Sequence, residues 1–97
     1  MKTVITALAV LVYAFSAAGA AECYEATASV KQDAPSTACT DKEKGYTNTG
    51  KGPLNHDGCT AAKAQARTKL QGRLTESCKK YVQTFDKCSV ITVKSCS

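Results

Sequence analysis

Between positions 23 and 30, apolar Tyr24, Ala26, Ala28 and Val30 alternate with polar Glu25, Thr27 and Ser29. A period of two puts the two sets on opposite faces of an extended chain, so the segment predicts a half-buried strand. Alanine and glutamate are weak strand formers, so here the pattern argues for a strand and propensity does not. From 59 to 85 the period lengthens. Ala62, Ala66, Leu70, Leu74, Cys78, Val82 and Phe85 recur every three or four positions, with Tyr81 beside them. That spacing makes one stripe of an amphipathic helix, and Ala, Leu, Lys, Arg and Gln, which fill the segment, all favour helix. Asp57 or Thr60 is placed to cap its start. Gly72, about 1 kcal/mol worse than alanine in a helix interior, marks a kink or a split, with Thr75 as a cap for a second piece. The last pattern is Cys88-Ser89-Val90-Ile91-Thr92-Val93-Lys94-Ser95-Cys96, a β-branched run bracketed by cysteines and the strongest strand of the chain.

The stretch 31–58 has no such period. It holds both prolines, four of the six glycines and few large apolar side chains. Residues 47–53 and 55–58 carry turn signals, leaving room for a short helical turn or one edge strand near 42–47. The resulting fold class is α+β: a small antiparallel sheet containing 23–30 and 88–96, packed against one long or kinked amphipathic helix over 60–85 and stapled by three disulfides. Leu70, Leu74, Tyr81, Val82, Phe85, Val90, Ile91 and Val93 are the expected core.

Residues 1–20 read as a signal peptide. Lys2 is its charged start, 4–15 an apolar run broken only by Thr6, and Ala18-Gly19-Ala20 the small residues before a cleavage site. The run is too short to span hydrocarbon, which takes roughly 20 residues, so no transmembrane segment is expected. The remaining segment, 21–97, is enough for a single disulfide-rich domain. A core of that size is marginal alone, and each disulfide adds about 2–4 kcal/mol.

The six cysteines are Cys23, Cys39, Cys59, Cys78, Cys88 and Cys96. With no Cys-x-x-Cys and His56 the only histidine, the count reads as three disulfides of a secreted, extracellular protein rather than a zinc site. A straight helix from Cys59 to Cys78 holds them roughly 28 Å apart. An extended strand from Cys88 to Cys96 separates those by roughly 26 Å. Neither pair can bridge, since Cα atoms must come within about 7 Å. Of the fifteen pairings open to six cysteines, ten survive.

Thirteen Lys and Arg stand against eight Asp and Glu, and loss of Lys2 with the leader leaves a net charge near +4. The charges are not massed into one run, so a nucleic-acid partner is not expected. Catalytic chemistry has little to work with. His56 beside Asp57 lies in a turn without a second acid–base group, and oxidised cysteines are not nucleophiles. No catalytic residue, metal or cofactor is expected. Binding has two candidate surfaces. Lys63, Arg67, Lys69 and Arg73 ride the helix, where they suit an anionic surface or an acidic partner. Lys51 and His56 sit in the loop over 46–57, and long loops on stapled scaffolds often carry recognition.

A leader, six spread cysteines, a short mature chain and no catalytic set resemble the small cysteine-rich secreted proteins of filamentous fungi, many of them effectors or toxins. The order strand, loop, amphipathic helix and Cys-flanked strand is also similar to the α/β-sandwich killer toxins of smut fungi. The resemblance implies a small antiparallel sheet against helices under several disulfides. It also implies action in virulence or competition by binding an extracellular protein, glycan or anionic cell surface, and the chain itself is expected to be a monomer. A secreted protease inhibitor, with Lys51 as specificity residue, or a cationic antimicrobial protein is the alternative.

Overall fold

The computed structural model describes residues 20–96. The leader predicted over 1–20 therefore lies, but for its last residue, outside the described residues. The chain runs β1 (Ala21–Val30), α1 (Asp41–Lys44), β2 (Thr47–Pro53), α2 (Gly58–Gln71), a 3-10 turn (Lys79–Tyr81), β3 (Val82–Thr84) and β4 (Ser89–Val93). The fold is α+β, an antiparallel sheet under one long helix, with disulfides Cys23–Cys96, Cys39–Cys78 and Cys59–Cys88. Neither pair excluded on distance occurs.

β1 is the spine of the sheet. One of its edges pairs with β2, from Cys23↔Pro53 to Ser29↔Thr47. Its other edge pairs with β3 at Ala28–Val30 and with β4 at Ala21–Glu25. β3 and β4 thus lie end to end along one edge. Residues 85–88 between them face only Ala26 and Thr27 of β1, so the edge breaks there and swings Cys88 to its bond with Cys59 on α2. The period-two reading of β1 holds. Ala26, Ala28 and Val30 are buried beneath α2, and Glu25, Thr27 and Ser29 lie on the uncovered face.

The core is made of small residues. The buried stripe of α2 is Gly58, Ala62, Ala66 and Leu70, one every fourth position. It meets Ala26, Ala28, Val30, Leu74, Val82 and the buried Cys39–Cys78 bridge. Helix and sheet therefore approach almost backbone to backbone. A Cβ on Gly50 would strike the Ala62 carbonyl and the Ala66 amide, and one on Gly52 the Gly58 carbonyl. This is why 47–53, expected as a turn, is a strand. Its glycines make room for the helix above them and do not bend the chain.

The helix ends at Gln71 and does not continue to Phe85. Beyond Gly72, Leu74 and Val82 keep their buried places, and Tyr81 packs half-buried against the core, but they do so from turns and a strand. Phe85 and Val90, expected inside, are 60% and 53% exposed. Phe85 sits in the break between β3 and β4, and Val90 on the outer strand beyond the reach of α2. Ile91 and Val93 are half-buried. The expected caps also differ. Asp57 makes no capping bond with its side chain, and Thr75 donates to Glu43. Among the described residues, no helix is long and apolar enough to cross a membrane.

Candidate binding surface

From 58 to 75 the chain carries Lys63, Arg67, Lys69 and Arg73 and no acidic residue. On α2, residues four apart lie in rows, so the buried row Gly58, Ala62, Ala66, Leu70 divides the helix into two flanks. Lys63 and Arg67 follow Cys59 on the flank tied to Cys88. Lys69 follows Gln65 on the other flank, above β2, where the Lys51 amide donates to Gln65 Oε1 at 2.8 Å. The basic residues are thus divided between two sides of the helix.

Their settings differ as well. Arg67 and Lys69 are exposed and Lys63 is half-buried, and among the described residues none of the three has a carboxylate or hydrogen-bond partner for its side chain. Lys63 and Arg67 stand at i and i+4, where like charges oppose each other by about 0.2–0.5 kcal/mol. Arg73 lies past the end of the helix and is engaged. Its Nη1 donates to the Thr47 carbonyl at 3.1 Å and to Asn48 Oδ1 at 2.9 Å. Its guanidinium also stands 4.3 Å from the centre of the Tyr46 ring. Arg73 therefore braces the start of β2 against the turn after α2, and three of the four helix candidates remain free to meet a partner.

Lys51 and His56 are set apart from that group. Lys51 belongs to β2, not to a loop. It is half-buried, opposite Glu25, on the sheet face away from α2. His56 sits in the turn before α2 with its side chain 90% exposed, and its Nε2 lies 3.1 Å from Asp57 Oδ2. The six candidates thus occupy four places: the flanks of α2 for Lys63, Arg67 and Lys69, the turn after it for Arg73, the open sheet face for Lys51 and the β2–α2 turn for His56.

Two features were not expected from the sequence. One is the open face itself, where Thr27, Ser29, Thr47, Thr49, Gln83 and Ser89 lie beside the Glu25–Lys51 pair. The alternation Thr47, Thr49, Lys51 against Asn48, Gly50, Gly52 was its signal. The other is Glu43, buried to 6% exposure. Its Oε1 accepts the Thr40 amide at 3.0 Å, and its Oε2 accepts the Thr75 amide at 2.8 Å and the Thr75 hydroxyl at 3.1 Å. These bonds, the Thr40 amide foremost, hold the carboxyl below the ordinary glutamate range. Among the described residues, no group of three or more His, Cys, Asp or Glu is placed to hold a metal ion. No protein-family model, curated protein or solved structure matches the chain.

Proposed function

We propose that this is a secreted, effector-like or killer-toxin-like protein that acts by binding outside the producing cell, not by catalysis. In this reading the cations on the two flanks of α2 meet an acidic partner or an anionic cell surface that reaches across the helix. The observation that carries it is the set Lys63, Arg67 and Lys69, unpaired cations on a helix without an acidic residue. A merely solvated helix gains from acids placed among its bases, because opposite charges at i, i+4 stabilise it. This helix forgoes that gain. Three disulfides clamp the domain, so the side chains are presented by a rigid frame and less ordering entropy is lost on binding. The protease-inhibitor alternative loses the loop it rested on, since Lys51 lies within β2.

The test is a growth-inhibition and cell-surface binding assay of oxidised protein on fungal, bacterial and plant cells, with Lys63→Glu/Arg67→Glu/Lys69→Glu alongside. The wild type should bind saturably to at least one cell type, and added salt should weaken that binding because exposed charges are screened. The triple variant should bind at least tenfold more weakly with an unchanged circular dichroism spectrum. Equal binding by both proteins, or none by either, would overturn the proposal.

A further inference from the structure

We infer that the outer edge of β4 is an interface at which two copies of this chain pair into a closed dimer. Backbone groups of an antiparallel strand point alternately to its two neighbours, so the edge can be read from the ladder. The Lys51 amide donates sideways to Gln65, and the Thr47 carbonyl accepts sideways from Arg73. Their β1 partners, Glu25 and Ser29, therefore turn their backbone groups toward the opposite edge, as do Cys23 and Ala21. The Lys31 amide, in the same phase, donates to the Tyr81 carbonyl on that side at 2.9 Å. On β4 the residues opposite Glu25, Cys23 and Ala21 are Ser89, Ile91 and Val93, which face β1. Val90 and Thr92 then direct their N–H and C=O groups outward.

The two edges of the sheet are finished differently. Along β2, Gln65 and Arg73 occupy the backbone on either side of Thr49. Along β4, no hydrogen bond among the described residues engages Ser89–Val93 beyond the β1 ladder. That strand is uncharged and β-branched, with Val90 53% exposed. An edge of this kind is a template for another strand.

A second copy can pair with it so that outward groups meet outward groups, and the most centred register is one of those open to it. With Ile91 on the twofold axis, Val90 meets the other copy's Thr92 and Thr92 its Val90, two hydrogen-bonded pairs that use the outward groups. Ile91 meets Ile91 on the open face, and Lys94 falls opposite Cys88, so no lysine faces a lysine. The outer edges of the joined sheet are then the two β2 strands, where Gln65 and Arg73 already take the Lys51 N–H and the Thr47 C=O and stand over the groups between, which opposes growth beyond two.

Sedimentation velocity of the oxidised protein up to millimolar concentration tests this. The wild type should show a reversible monomer–dimer equilibrium. Thr92→Pro removes an N–H that faces outward and leaves the β1 ladder intact. Val90→Lys places charge on the same edge. Each should abolish the dimer with the circular dichroism spectrum unchanged. Gln65→Ala/Arg73→Ala reopens the β2 edge and should yield species larger than a dimer. A wild type monomeric throughout, a dimer that survives both edge variants, or open-ended assembly by the wild type would each overturn the inference.

Discussion

At Gly50 the whole packing scheme rests on a missing methyl group. Its position beneath Ala62 and Ala66 leaves no space for a Cβ, and what such an atom would meet is helix backbone, which cannot rotate aside. Gly50→Ala should therefore lift α2 from β2 and lower stability by about 1–3 kcal/mol, the usual range for overpacking. Denaturant unfolding of the oxidised protein will show it as a lower midpoint. An unchanged midpoint would mean that helix and sheet are not in backbone contact at this position. The same closeness explains the misplaced core. An interface lined by Ala26, Ala28, Ala62 and Ala66 has no room for Phe85 or for Val90, whose apolar character alone suggested burial. Residue type reports what gains from burial. The spacing between backbones decides who is admitted.

Among the elements, α1 is a single turn of four residues, too short to persist alone, and Glu43 secures it. Its carboxylate closes a capping box with Thr40 and also receives the backbone of Thr75, so α1 is bound to the turn that ends the α2 region. The folded carboxyl titrates below its unfolded value because those N–H groups favour the ionised form. Its stabilisation is then full above the unfolded glutamate value of about 4.3 and is lost as pH falls through the lower folded value. Wild-type stability should drop across that acid window, and Glu43→Gln should be weaker at neutral pH and show less of the drop. Parallel acid-dependent losses in the two proteins would assign the acid sensitivity elsewhere. Neither Glu43 nor the end of α2 could be read from spacing. Leu74, Cys78 and Val82 continue the helical period past Gly72 by coincidence, and Glu43 is one acid among charged neighbours until Thr75 folds back onto it. β1 and the first half of the helix were readable because each carries its own local period, and β4 because its run is β-branched. β2 was not, because Gly50 and Gly52 serve a contact with a helix that begins only at Gly58.

Over the whole molecule the three bridges divide the work by depth. Cys39 and Cys78 are fully buried and join the loop after β1 to the segment beyond α2. Cys59 and Cys88 are half-buried and tie α2 to the broken edge. Cys23 is buried, but its partner Cys96 is not, and their bond closes a separation of 73 residues between the two ends of the domain. Reduction requires a thiolate to reach a sulfur, so access orders the bonds unless the whole domain opens first. Under mild reductant in native buffer, Cys23–Cys96 and Cys59–Cys88 should therefore open before Cys39–Cys78. Trapping by alkylation, with mass mapping of the labelled cysteines, will give the order. Loss of Cys39–Cys78 should coincide with loss of circular dichroism, because the buried Ala-rich core is too small to hold without it. Simultaneous opening of all three would mean that the domain unfolds as one unit before any bond is reached. Opening of Cys39–Cys78 first would contradict its burial.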